Sequence, residues 1–235
     1  MKLSIIIPTY NEQNTIRKLI EHVQSVDYPV EYEIIIIDDA SADRTLEKEF
    51  LIKLKNKSME KNIRIFKNRI NRGKGFSIRK GIKRAKGDII IIQDADMEYN
   101  PHDIPKLIEP ILKGEAAAVY GSRFLENPCP DGMVIPNWIA NKILTKLANV
   151  LFGISLTDEA TCYKAFDAKI LKSLDLKANG FTFCPEVTAL LAKRGVEIKE
   201  LPISYHARTT KQGKKVRPMD LVFAVLMLLW QRAKK

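Results

Sequence analysis

The sequence predicts an α/β fold with a mostly parallel central sheet and helices on both faces. Three observations carry this. β-Branched apolar runs alternate with segments of 3.6-residue apolar period. The run Ile89-Ile90-Ile91-Ile92 is apolar without alternation, as a strand covered on both faces must be. Successive runs also end in polar loops, and open α/β sheets bind ligands beyond the carboxyl ends of their strands.

In chain order, Lys2 to Ile7 and Glu33 to Ile37 read as strands. Helical patterns follow each, with Ile16, Leu19, Ile20 and Val23 in the first and Leu46, Phe50 and Leu54 in the second. A third strand at Ile63 to Phe66 leads into a helix carrying Phe76, Ile78, Ile82 and Ala85, which Gly87 stops before the run at Ile89. A helix at Ile104 to Leu112, a strand at Ala116 to Tyr120 and a Pro-rich loop through Pro136 come next. A long helix from Asn137 to Phe152, a helix after Pro185 ended by Gly195, and a strand-like alternation from Val196 to Ile203 complete the pattern. No repeat, low-complexity tract or linker interrupts it.

With 235 residues, 46% of them apolar, the chain has enough material for one full core, and a single α/β domain is favoured over two small ones. Cys129, Cys162 and Cys184 are odd in number and lack metal-ligand spacing, which argues against a disulfide framework and a zinc site. His22, His102 and His206 likewise lack ligand spacing. No N-terminal stretch has the sections of a signal peptide, so a cytoplasmic chain is expected. A net charge of +11 implies anionic partners: nucleic acid, a phosphate-rich substrate or a membrane surface.

The richest motif is Asp94-Ala95-Asp96-Met97-Glu98, directly after the Ile89 strand. Three converging acids repel unless a cation neutralises them, and hard oxygen ligands suit Mg²⁺ or Mn²⁺ bridged to substrate phosphates. The plainer alternative is a solvated acidic turn. Two further loops, Pro8 to Glu12 and Asp38 to Asp43, meet the same edge. There Asp39 suits hydrogen bonds to a base or ribose, Tyr10 suits stacking and Glu12 suits a ribose hydroxyl. Each has a bland reading as well: Asp38 or Ser41 as a helix cap, Tyr10 as turn filler.

In order and spacing, IIIPTYNE, IIIIDDASAD, NRGKG and GDIIIIQDADME resemble family 2 glycosyltransferases, which have the GT-A nucleotide-diphospho-sugar fold. GSRF at 121–124, LTDEATCYKAF at 156–166 and ISYHARTTKQGKKVR at 203–217 are similar to the polyprenyl-phosphate branch, the dolichyl-phosphate mannose and glucose synthases. The resemblance implies that Pro8, Tyr10, Glu12, Ile37 and Asp39 contact the nucleotide. It implies that Asp94, Ala95 and Asp96 meet the sugar and metal, and that Arg123, Arg208 and Lys214 face the phosphates of donor and acceptor. Glu98 stands where such synthases often carry Gln, adding a third acidic metal ligand to Asp94 and Asp96. Lys74, in the GKG turn, is a weaker candidate whose simpler reading is a turn feeding a helix. Asp158 is the nearby acid for a base or sugar-orienting role, with turn capping as its alternative. The implied reaction is inverting transfer of mannose or glucose from GDP-mannose or UDP-glucose to a polyprenyl or dolichyl phosphate, with a slight lean to mannose.

The chemistry fits that constellation. A departing nucleoside diphosphate gathers negative charge that a divalent cation stabilises. A phosphomonoester, with a second pKa of about 6, is already anionic at neutral pH, so guanidinium groups matter more than a base. A soluble family 2 enzyme using a saccharide or protein hydroxyl stays open and would need Asp158 as base. A non-enzymatic anion- or nucleic-acid-binding module is the remote alternative, lacking any RNA-binding motif. Leu221 to Trp230 is an apolar run of ten residues between Pro218 and the cations Arg232, Lys234 and Lys235. It is too short to span a bilayer of about 30 Å, but suits its headgroup boundary. Residues 1–217 are thus expected to form the catalytic domain and 218–235 an interfacial helix, placing the chain peripherally on the inner face of the cell membrane. The stripe Trp138, Ile139, Ile143, Leu144, Leu147, Leu151 and Phe152 belongs to that face or to the core.

Overall fold

The computed structural model describes residues 1–47, 62–130, 132–208 and 218–234. The expected second helix at Leu46, Phe50 and Leu54 falls largely on 48–61, and Lys214 on 209–217, both outside the described residues. The elements run β1 (Lys2–Thr9), α1 (Ile16–Ser25), β2 (Glu31–Asp38), β3 (Ile63–Lys67), α2 (Lys74–Arg84), β4 (Ile89–Ile92), α3 (Ile104–Leu112) and β5 (Ala118–Ser122). They continue with α4 (Ile135–Phe152), β6 (Lys164–Asp167), α5 (Ala168–Ser173), α6 (Phe183–Lys193), β7 (Ile198–Pro202) and α7 (Pro218–Ala233).

One seven-stranded sheet has the order β3-β2-β1-β4-β6-β5-β7. β1 pairs in parallel with β2 and β4, placing Ile5 beside Ile34 and Ile91. Alternate residues serve opposite faces. Ile5, Ile7, Ile34, Ile36, Ile89 and Ile91 pack with the apolar stripes of α1 and α3; Ile6, Ile35, Ile37, Ile90 and Ile92 pack with α2 and α6. These strands show no alternation because both faces are buried, and each such isoleucine stabilises the fold by roughly 1.5–3 kcal/mol.

β6 is the departure from the sequence reading. It inserts antiparallel between β4 and β5, with Ile89 opposite Asp167 and Ala118 opposite Phe166. The sheet is therefore mixed, and β5 is displaced outward to pair with β7.

α7 packs one side on α4 and α6 through Ala224 and Leu228, in a small core with Leu144, Ala148 and Ala189. Its other side leaves Phe223, Leu226 and Trp230 about half exposed. The helix is therefore both docked and apolar to solvent. Among the described residues no helix is long and apolar enough to cross a membrane.

Candidate active site

The loops after β1, β2 and β4 meet at one sheet edge. Asn11, Ala40 and Met97, one in each loop, are the non-glycine residues with positive φ among those described, at 50°, 62° and 64°. Such strain is held only where surroundings over-determine it. Here the first two loops interlock: Asn11 N donates to Ser41 Oγ at 2.9 Å, Ala42 N to Asn11 Oδ1 at 2.9 Å, and Glu12 N to Thr45 Oγ1 at 2.8 Å.

Among the nucleotide candidates, Pro8 and Ile37 are neighbours in the β1–β2 register. Ile37 is wholly buried, so its side chain belongs to the core and only its peptide groups border the edge. Tyr10 lies at the exposed rim. Asp39 is turned inward. Its oxygens accept from Asn68 Nδ2 (2.6 Å), Arg72 N (3.0 and 3.1 Å) and Gly73 N (2.6 Å), fixing the turn before α2.

That turn delivers Lys74. Its Nζ lies 2.6 Å from Asp94 Oδ1 and donates to Cys162 Sγ at 2.9 Å. Lys74 was a weak candidate in the sequence; the structure joins it to the acidic motif. The flanking glycines permit this: a Cβ on Gly75 would lie 2.7 and 2.8 Å from the carbonyl oxygens of Ala178 and Gly180, and Gly73 has φ +95°. Gly75→Ala is expected to destabilise the fold by about 1–3 kcal/mol through overpacking and to displace Lys74. Thermal denaturation alongside nucleotide affinity checks this; unchanged values for both would contradict it.

Asp94, Asp96 and Glu98, expected as one ligand set, each have a partner of their own in the structure. No group of three or more His, Cys, Asp or Glu side chains gathers around a common point among the described residues. Each acid faces its own donor instead. Asp94 holds Lys74. Asp96 Oδ2 accepts from Arg208 Nη2 at 3.1 Å. Glu98 receives Tyr205 OH on Oε2 and Arg208 N on Oε1, both at 2.8 Å, and so docks the 205–208 segment. Mutual repulsion is relieved by built-in cations. Burial, followed by the charges of Asp94 and Glu98, still pushes the Asp96 carboxyl up to about 7, against the opposing pull of Arg208 and Lys74. The Arg208 fork also reaches Glu12, with Nη1 to Oε2 at 3.1 Å and Nη2 to Oε1 at 3.2 Å. Glu12 and Asp96 thus share one guanidinium. Ala95, between the two aspartates, is buried.

Arg123 and Asp158 form a buried bidentate pair: Nε to Oδ2 and Nη2 to Oδ1 are each 2.7 Å, and Arg123 N adds 3.0 Å to Oδ2. Asp158 is 0% exposed. Both its oxygens are committed to Arg123, so in this geometry it orients that arginine. Glu200 was not foreseen; it accepts from Thr157 N (2.6 Å) and Asp158 N (3.0 Å) and holds the segment presenting Asp158. Arg123 in turn lies 5.1 Å from the Tyr205 ring.

The model of glycosyl transferase family 2 matches residues 4–175. The chain belongs to glycosyl transferase family 2. Among its relatives, this family 2 chain is 29% identical to a dolichol-phosphate mannosyltransferase of Pyrococcus furiosus over 91% of its length and 59% of that protein. It is 31% identical to a UDP-N-acetylglucosamine–dolichyl-phosphate N-acetylglucosaminyltransferase of Methanococcus voltae, over 96% of this chain and 94% of that one. It spans about half to three fifths of the length of the first curated relatives it matches. Glucosyl-3-phosphoglycerate synthase of Mycobacterium tuberculosis, solved with Mn²⁺, UDP-glucose and phosphoglyceric acid, superposes with TM-score 0.74 at 22% identity, over 99% of this chain and 80% of that one. The likeness fixes the GT-A fold of this family 2 glycosyltransferase.

Proposed function

We propose that this enzyme transfers a hexose, mannose or glucose, from a nucleoside diphosphate sugar to a polyprenyl or dolichyl phosphate, with inversion to a β-linked product. The observation that carries the acceptor class is the apolar surface beside the site. Ile139 and Ile143 of α4 and Phe223, Leu226 and Trp230 of α7 are about half exposed, and Arg232 and Lys234 end the latter helix. A groove of about 470 Å³ runs between α7 and residues 179–182, past Phe181, whose ring is 5.8 Å from Lys74 Nζ. Apolar faces rimmed by cations suit a lipid surface, which supports peripheral attachment to the inner membrane face through residues 218–235. Polyprenyl-phosphate transferases among the relatives, such as an undecaprenyl-phosphate mannosyltransferase of Micrococcus luteus matched over 87% of its length, support the same class.

Asp94 and Asp96 are the fitting holders for Mg²⁺ or Mn²⁺. They are hard oxygen donors, and the Asp96 carboxyl, raised first by burial and then by the charges of Asp94 and Glu98, is one whose ionised form a cation would favour. A bound cation would neutralise the departing diphosphate as a Lewis acid. Arg208, released from Glu12 and Asp96, would turn to the diphosphate and leave Glu12 for the ribose. Arg123, aimed by Asp158, would grip the acceptor phosphate through two parallel hydrogen bonds. No general base is required of Asp158, because the phosphate oxygen is already anionic.

The test is incubation of the full chain with Mn²⁺ and radiolabelled GDP-mannose or UDP-glucose, in the presence of vesicles carrying polyprenyl phosphate. Label is expected in the extracted lipid. Donor consumption with label on a saccharide, and none on lipid, would favour the hydroxyl-acceptor reading.

A further inference from the structure

Residues 62–86 hold ten lysines and arginines and no aspartate or glutamate, which is almost the whole of the chain's net +11. They form the edge strand β3 and α2, tied together where Lys80 Nζ donates to the Lys67 carbonyl at 3.1 Å. Three of these cations meet acids of the domain: Arg64 with Glu33 at 3.0 Å, Lys67 with Asp38 at 3.6 Å and Lys74 with Asp94 at 2.6 Å. Four others rest on neutral groups. The Arg72 guanidinium lies 3.9 Å from the Phe76 ring centroid and that of Arg84 5.0 Å from Phe66, while Lys80 Nζ donates to Asn68 Oδ1 at 2.7 Å and Arg79 Nε to the Ala178 carbonyl at 3.0 Å. Arg69, Lys83 and Lys86 are exposed.

α2 buries Ile78 and Ile82 and turns Arg79, Lys80, Lys83 and Arg84 away from the core, along one helical face. The helix C-terminus favours Lys83 and Arg84, but it has no bearing on Lys67 and Arg69 in the neighbouring strand and loop. A face charged in one sign repels itself, and an anion spread over an area matches it best. Its neighbours indicate which. Gly73 and Gly75 pack on residues 178–180, and Asn179 to Thr182 form the wall of the groove opposite α7, whose Phe223, Leu226 and Trp230 are about half exposed. Ile70, beside Arg69, is 67% exposed. Nucleic acid would use the cations alone, whereas a charged bilayer uses the cations and the adjoining apolar side chains together.

We propose that the β3–α2 face is a docking surface for anionic phospholipid headgroups, so that the chain selects a negatively charged bilayer. This rests on the attachment of residues 218–235 to a membrane. Apolar burial by α7 acts on any bilayer. Each cation near an anionic surface adds roughly fivefold in partitioning, and the effect fades within a Debye length of about 8 Å in physiological salt.

In the experiment the full chain is sedimented with vesicles of phosphatidylcholine alone or mixed with phosphatidylglycerol, at low and high salt, beside the variant Lys83→Gln/Arg84→Gln/Lys86→Gln. The parent chain is expected to prefer the phosphatidylglycerol vesicles and to lose that preference in high salt. The variant should bind them roughly a hundredfold less, about fivefold for each lost cation, while keeping its binding to phosphatidylcholine, its nucleotide affinity and its melting temperature. Lys83→Gln/Lys86→Gln, which leaves Arg84 on Phe66, separates charge from packing and should lose roughly 25-fold. Equal binding to both vesicles, or variants that bind the charged vesicles like the parent, would overturn the proposal. Capture by duplex DNA at a salt concentration that releases the vesicles would assign the face to nucleic acid and overturn it too. Failure to bind any vesicle would overturn it together with the attachment through α7. Transfer to detergent-dispersed polyprenyl phosphate needs no vesicle, so it tests the proposed reaction separately, and it is expected to be unchanged in both variants.

Discussion

Asp158→Asn is expected to destabilise the fold by about 3–5 kcal/mol, because it leaves the buried Arg123 guanidinium without its counter-charge. For a chain of this size that corresponds to a melting temperature lower by on the order of 10 °C. Transfer should fall with it, since Arg123 would lose two of the hydrogen bonds that aim it. A rate loss at Asp158 therefore does not by itself identify a general base. The double variant Arg123→Met/Asp158→Leu separates the effects: replacing a buried ion pair by apolar residues of similar volume is often neutral in stability. It is expected to recover most of the melting temperature while transfer stays low. Recovery of transfer as well would contradict the role given to Arg123.

Asp96→Asn is expected to lower kcat/KM by roughly 10²–10³, the scale of losing one electrostatic group aimed at developing charge. The shape of the change is as informative as its size. Asparagine keeps the volume and one acceptor oxygen but removes the charge that faces Arg208. Mn²⁺ dependence should weaken along with turnover, whereas circular dichroism and melting should change little because Glu12 still pairs with Arg208. A variant with full activity and unaltered metal response would remove Asp96 from the site.

The covered strands were legible because their sequences have no other use: Ile34–Ile37 and Ile89–Ile92 are apolar on both faces, and α3 announces itself by its stripe between Asn100-Pro101 and Gly114. β6 was not, since it has four residues and begins with a lysine. Lys164 is nonetheless fully buried, with Nζ donating to the Glu159 carbonyl at 2.8 Å and lying 3.4 Å from the Tyr120 ring centroid. A composition rule that sends lysine to the surface fails where carbonyl and aromatic partners replace water.

The site divides the same way. Motif order brought the three loops to one edge, but not which way each acid turns. Asp39 serves a turn more than 30 residues later, Asp158 serves an arginine 35 residues earlier, and Glu98 serves a segment 107 to 110 residues away. Long-range partners leave no local mark. Lys74 did leave one: glycines on both sides signal a close backbone approach, which the packing of Gly73 and Gly75 on residues 178–180 realises.

The most direct measurement is a crystal structure of the chain with Mn²⁺ and UDP or GDP. The ion is expected on Asp94 and Asp96, with the nucleotide held by the loops after β1 and β2 and Arg208 moved from Glu12 onto the diphosphate. An ion bound away from these aspartates, or Arg208 still bridging Glu12 and Asp96 beside a nucleotide seated elsewhere, would contradict it.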